Sequence, residues 1–200
     1  MSAPWEGLRA GFAMCGSFCT FEKALSAMRR LREMGADIVP ILSERACSTD
    51  TRFGAAEDWR ARAEALCGRP AIHTLKGAEP IGPKALLDIL IVAPCTGNTL
   101  GKLSGGVTDT CVTMACKAHT RNGRPLVLAV STNDGLGVSA KSIGELLTRR
   151  GVYFVPFGQD DPAGKPRSLA ADLERLPETA EHALRGEQIQ PILIDFLRTL

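Results

Sequence analysis

Leu87-Asp88-Ile89-Leu90-Ile91-Val92-Ala93 reads as the central strand of a parallel sheet. Apart from Asp88, the run from Leu87 to Ala93 is apolar and rich in Ile and Val, as expected where both faces of a strand are covered. Pro94 ends it, and Asn98 to Leu103 reads as a helical turn. Towards the N-terminus, Leu8 to Met14 is a short apolar run closing in Cys15-Gly16-Ser17, followed by helical spacing from Phe21 to Met34 and a stop at Gly35. Ala36 to Leu42 repeats the strand signal and ends at Ser43, and a helix of roughly 55–66 closes at Gly68. Towards the C-terminus, Asp109 is placed to cap a helix running to Thr120. Arg124 to Val130 is the next strand, Gly137 to Arg150 an amphipathic helix and Val152 to Phe157 a last strand.

Strands alternating with helices of this length imply right-handed crossovers and a sheet covered on both faces. The expected fold class is therefore α/β, a three-layer sandwich with a parallel sheet, flavodoxin-like or Rossmann-like. The 200 residues suit a single domain spanning 1–200, with 168–200 a helical C-terminal appendage broken by Pro177 and Pro191.

The composition, 44% hydrophobic and 23% charged, is that of a folded chain, and a formal charge of +2 gives no field suited to nucleic acid or an anionic membrane. The apolar stretches are strand-sized and Met1 to Gly11 lacks a signal-peptide core, so a cytoplasmic protein with no membrane segment is expected. Seven cysteines (Cys15, Cys19, Cys47, Cys67, Cys95, Cys111, Cys116) contain no C-x-x-C pair, which speaks against a disulfide framework. Cys15 and Cys95 fall beside candidate ligand loops.

In open parallel sheets a ligand lies outside the carboxyl ends of the strands, where helix N-termini present unpaired N–H groups. Four such loops carry Gly, Ser, Thr or Asn. They are Cys15-Gly16-Ser17, Ser43-Glu44-Arg45, Pro94-Cys95-Thr96-Gly97-Asn98-Thr99 and Ser131-Thr132-Asn133-Asp134. Gly16, Ser17, Ser43, Thr96, Asn98, Thr99, Ser131 and Thr132 are accordingly the candidate cofactor-binding residues, suited to a phosphate-bearing ligand. The same residue types also cap helices and form turns, and Asn98 stands where its amide can do either.

Two nucleotide motifs are absent. Gly16-Ser17-Phe18-Cys19-Thr20-Phe21 lacks the later glycines of G-x-G-x-x-G, and Gly97 to Leu103 fails the P-loop in spacing and in the residue after Lys102. His73, His119 and His182 show no paired ligand spacing, so no metal site is expected, and no G-x-S-x-G elbow marks a hydrolase.

The run from Pro94 to Asp109 resembles the signature of the FMN-binding flavoprotein family that includes cysteine decarboxylases and flavin prenyltransferases, in which a Pro-x-[ST]-x-Asn-Thr loop precedes a short helix. Gly16-Ser17 and Ser43 are similar to that family's other phosphate contacts. Four longer strings add a narrower resemblance: Glu79 to Lys84, Ala93 to Thr99, Ser131 to Asp134 and Tyr153 to Pro162 look like the B subunits of dipicolinate synthases from endospore-forming bacteria.

That resemblance implies an oxidoreductase component that takes part in NAD(P)-dependent oxidation of a dihydrodipicolinate-type intermediate to dipicolinic acid during sporulation, in the cytoplasm of the mother cell. FMN is the cofactor it implies for this chain. It places NAD(P) on a partner chain, the A subunit of the dipicolinate synthase, and implies a homo-oligomer. The substrate would be a small dicarboxylate, which Arg45, Lys84 or Lys102 could pair with. No catalytic residue is assigned.

The alternatives are an FMN-dependent decarboxylase or prenyltransferase-like enzyme and a non-catalytic scaffold subunit. Against decarboxylation, Ser131 to Gly137 replaces the Pro-x-Met-Asn-x-x-Met-Trp string of the decarboxylases, and Gly82-Pro83-Lys84 stands where they carry a His. No cysteine follows Cys116.

Overall fold

The structure, a computed structural model, describes residues 5–196. The ends of the expected domain and tail, 1–4 and 197–200, lie outside the described residues. Five strands run parallel: β1 (Arg9–Met14), β2 (Asp37–Leu42), β3 (Ile89–Cys95), β4 (Leu126–Thr132) and β5 (Val152–Phe154). Two more, β6 (Phe157–Gly158) and β7 (Leu169–Ala171), join antiparallel. The order is β2-β1-β3-β4-β7-β6, with β5 also pairing β4.

All seven residues of β3 are buried, because helices cover both faces of the sheet. On one face lie α1 (Phe21–Glu33), α3 (Ala56–Cys67) and α8 (Leu176–Leu184), whose Leu25, Met28, Ala63, Leu176 and Ala180 pack on Phe12, Ile38 and Ile91. On the other lie α5 (Gly97–Ser104), α6 (Cys111–Thr120) and α7 (Ser139–Leu147), whose Leu100, Val112, Ala115, Ile143 and Leu146 pack on Val92 and Leu128. Two short helices, α2 (Glu44–Ser48) and α4 (Leu75–Ala78), complete the set. The three-layer α/β sandwich with a parallel sheet is the expected class.

α1 shows why the local reading works. Phe21, Ala24, Leu25, Ala27, Met28 and Leu31 are its buried residues, spaced to form one face, with Glu22 in the first turn and Arg30 and Arg32 in the last, where the helix dipole favours them. Gly35, at φ +102°, takes the chain out of the helix in a conformation that side chains disfavour.

Pro94 does not end the central strand: β3 runs on to Cys95, which pairs with Val130 after a register shift beyond Val92, so the missing Pro94 N–H falls in the irregular stretch. Three further expectations need correction. The strand expected from Val152 to Phe157 is two strands, because Pro156 between them has no N–H for a ladder. The tail from Ser168 is not a helical appendage. Leu169–Ala171 is a strand paired with Ser131 and Thr132, and α8 belongs to the core. The reason lies in β4: β5 pairs only its first half, Leu126 to Leu128, and β7 covers the backbone edge left beyond. Pro177 sits in the first turn of α8, where its missing N–H costs nothing. Third, α6 is capped by Thr110, not Asp109, whose carboxylate is held by Lys102 Nζ at 2.8 Å and 2.9 Å.

Candidate functional site

With the order β2-β1-β3, connections leave β1 and β3 towards opposite faces, which opens a crevice at the carboxyl edge between these two strands. A cavity of about 390 Å³ lies there. The loop after β1 contributes Cys15 and Gly16, and the end of β2 contributes Ser43, Glu44 and Arg45. Thr96, Asn98 and Thr99 enter from the start of α5, and Thr110 from the start of α6.

Hydroxyl caps fix this geometry. Ser43 accepts from Ala46 N–H at 3.2 Å, starting α2. Thr96 accepts from Thr99 N–H at 3.4 Å, and the two threonine hydroxyls lie 3.2 Å apart. Thr110 accepts from Thr113 N–H at 3.2 Å while Thr113 accepts from Thr110 N–H at 3.1 Å, a reciprocal capping box. Since Thr96 caps α5, the capping role open to Asn98 is filled by another residue; Asn98 is exposed and lines the cavity.

Two glycines act differently. A Cβ on Gly97 would lie 2.5 Å from Ser139 Oγ and 2.7 Å from Thr132 Oγ1, so its glycine lets α5 start hard against the end of β4 and the first turn of α7. A Cβ on Gly16 would meet nothing nearer than 3.6 Å within the protein. Gly16 itself lines the cavity.

Arg45 is the cation lining this cavity, and Glu44 is fixed beside it: its Oε1 accepts from Cys111 N–H at 2.7 Å. Cys15, on the floor, accepts from Thr99 Oγ1 at 3.2 Å, and burial pushes its thiol up to about 11. Burial also raises the Cys95 thiol well above the ordinary value. Both stay protonated at neutral pH, so neither is an activated nucleophile.

The structure thus brings together Gly16, Ser43, Thr96, Asn98, Thr99 and Arg45. Ser17 and Ser131 join each other instead, Oγ to Oγ at 2.8 Å, at the same edge. Thr132 accepts from Asp134 N–H at 3.3 Å and packs by Gly97. Two expected substrate contacts are elsewhere. Lys84 is exposed and precedes β3, at the amino edge of the sheet. Lys102 is tied to Asp109 and lines another cavity, of about 340 Å³, with Lys117 and Arg149. Glu44 and Thr110 are the lining residues that sequence reasoning did not single out. The spacing Thr110-x-x-Thr113 was the available signal for the second.

The donor set, hydroxyls, an amide and the N–H groups of the first turn of α5, suits a single phosphate group, with Gly16 leaving room for close approach. Among the described residues no cluster of His, Cys, Asp and Glu could hold a metal. His119 is buried and its Nε2–H donates to Pro125 O at 2.9 Å, a structural contact. Among those residues, too, no helix is long and apolar enough to cross a membrane.

Residues 5–162 match the family model described as Flavoprotein. The chain is 44% identical over 190 residues, 95% of both chains, to the dipicolinate synthase B subunit of Bacillus subtilis strain 168. The crystal structure of the dipicolinate synthase B subunit from Bacillus halodurans superposes with a TM-score of 0.88 at 43% identity, covering 96% of this chain and 98% of that one. An FMN-dependent cysteine decarboxylase, SpaF, shares the fold at a TM-score of 0.67 and 19% identity, over 90% of this chain and 98% of that one. The chain belongs to the Flavoprotein family and, within it, groups with the B subunits of dipicolinate synthase.

Proposed function

We propose that this chain is the flavoprotein-type component of a dipicolinate synthase, working with a dehydrogenase-like partner, the synthase's A subunit, in the oxidation of a dihydrodipicolinate-type dicarboxylate to dipicolinate. The observation that carries this reading is the likeness to the B subunit of dipicolinate synthase, which runs along nearly the whole of both chains at 44% identity. In this reaction the substrate loses a hydride to NAD(P)⁺ and a proton to solvent or a base as the ring becomes aromatic. The chain has no G-x-G-x-x-G loop to hold a dinucleotide, so NAD(P) is assigned to the partner.

The cavity at the carboxyl edge is assigned to FMN. Family membership supports flavin as the cofactor class, and the residues present fit a phosphomonoester. Thr96, Asn98 and the first N–H groups of α5 would hold the phosphate, with Ser43 and the Gly16 backbone closing over it. A bound flavin supplies two-electron redox chemistry. Arg45, at the rim, is placed to pair with a substrate carboxylate.

Two measurements test this reading. Titration of the purified chain with FMN, followed by flavin fluorescence, should saturate at one flavin per chain. NAD(P)-dependent formation of dipicolinate should require both subunits. Robust turnover by this chain alone would overturn the assignment of NAD(P) to the partner, and an absence of turnover with both subunits would overturn the function.

A further inference from the structure

The cavity of about 340 Å³ between α5, α6 and α7 lies apart from the candidate site, at the other end of α5. Thr99, in the first turn of that helix, lines the carboxyl-edge cavity, whereas Lys102 and Leu103, in its last turn, line this one. The apolar lining includes the buried Cys116, Leu126 and Leu146, and Val107, 45% exposed, leaves an aliphatic side chain open to water at the rim. The charged lining is wholly basic: Lys102, Lys117, Arg149 and Arg150, with no Asp or Glu among the described residues.

Two of these cations are held within the protein. Lys102 Nζ donates to both carboxylate oxygens of Asp109, and Arg149 donates to Leu103 O at 2.8 Å and to Glu145 Oε1 at 3.1 Å. The bond to Leu103 satisfies a carbonyl that the end of α5 leaves unpaired, and Val107 N–H donates to Lys102 O at 2.8 Å, so this wall is fixed. Lys117 and Arg150 differ. Both are exposed and neither enters an ion pair among the described residues.

We infer that this cavity is a second ligand site, for a small ring-bearing dicarboxylate whose carboxylates pair with Lys117 and Arg150 while its ring covers Val107 and the apolar walls. The volume suits a ligand of that size. Exposed ion pairs are weakened by solvent, so charge alone holds no anion firmly here; the apolar walls add to it and favour a ring over an open chain. Inorganic phosphate would satisfy the cations and leave the walls wet. The inference rests on the lining of this cavity and stands whether or not the chain binds flavin. Arg45, at the carboxyl edge, is the competing place for a dicarboxylate, and the experiment separates the two.

Calorimetric titrations of the full chain with dipicolinate, benzene-1,3-dicarboxylate, succinate and inorganic phosphate test it. They compare wild type, the double variant Lys117→Gln with Arg150→Gln, and Arg45→Gln, with melting curves confirming that each is folded. In wild type both ring dicarboxylates should bind about tenfold or more tightly than succinate or phosphate. The double variant should lose about tenfold or more of that affinity, and Arg45→Gln should retain the site. A loss in Arg45→Gln with none in the double variant would place the dicarboxylate at the carboxyl edge, overturning the second site and leaving the proposed function standing. Equal binding of succinate or phosphate, or no saturable binding of either ring dicarboxylate, would also overturn it.

Discussion

The hydroxyl of Thr99, on the first turn of α5, donates to the sulfur of Cys15 at the end of β1 over 3.2 Å. This bond joins the two strand ends that flank the cavity, since β1 and β3 are neighbours in the sheet and α5 follows β3 directly. Thr99 is itself held by Thr96, so cap, thiol and cavity floor form one connected unit.

Burial outweighs that bond in setting the thiol. With its value pushed up to about 11 from 9.0, Cys15 carries roughly a hundredfold less thiolate at pH 8 than an unperturbed thiol, and it is also inaccessible. Iodoacetamide labelling at pH 8, followed by mass spectrometry of peptides, should find the exposed Cys19 modified first and Cys15 among the last. Early labelling of Cys15 would mean that the floor of the cavity opens in solution.

Gly16→Ala separates ligand room from folding. The Cβ meets only ordinary contacts, the nearest at 3.6 Å, and Gly16 is not in the left-handed region, so stability should change by less than about 1 kcal/mol. Gly16 lines the cavity to which the proposed function assigns the phosphate, so an added methyl group would take room from that ligand. FMN affinity should fall at least about tenfold, equivalent to about 1.4 kcal/mol. Gly97→Ala is the contrasting control: its Cβ collides with Ser139 and Thr132 inside the protein, so the melting temperature itself should drop.

How far the sequence carried the reading depends on whether the deciding contact was local. β3 was legible because burial on both faces leaves its mark residue by residue, and the cavity loops were legible because ligand sites follow strand ends in parallel sheets. The three-residue strand β7 was not, since Leu169–Ala171 becomes a strand only because β4, far earlier in the chain, outruns β5. The choice between Asp109 and Thr110 as the cap of α6 was likewise non-local: both residue types cap well, and Lys102 on another helix captures the aspartate. Glu44 escaped notice for the same reason, its partner being a backbone N–H 67 residues away.

His119 predicts an acid-sensitive fold. Burial chiefly lowers its pKa below the ordinary 6.5, and its contact to Pro125 O holds the ring against β4. The unfolded chain therefore binds this proton more readily than the native one. The stability owed to the neutral ring is complete above about pH 6.5 and is lost as pH falls from there towards the lower native value. Thermal melts between pH 7.5 and 5.5 should show a decline that is shallower in His119→Gln, which can still donate to Pro125 O but does not titrate. Equal slopes would remove His119 as the cause.

Asn98→Asp bears most directly on the site. On sequence grounds Asn98 had two roles open to it, cap of α5 and ligand contact, and a substitution harming both would have been uninformative. Thr96 fills the first role, with its side chain accepting from Thr99 N–H at the start of the helix. A carboxylate one step inside the first turn is favoured by the helix dipole, so Asn98→Asp should hold or slightly raise the melting temperature. The same change replaces a donor by an anion on the wall of the cavity. If a phosphate sits at this wall, the lost hydrogen bond and the new repulsion together should weaken FMN by about 2 kcal/mol or more, some thirtyfold. Riboflavin, which lacks the phosphate, should lose far less, and the difference between the two flavins isolates the phosphate contact. Fluorescence titrations of both ligands against wild type and Asn98→Asp decide the matter: an undiminished FMN affinity with an undiminished melting temperature would remove Asn98 from the site.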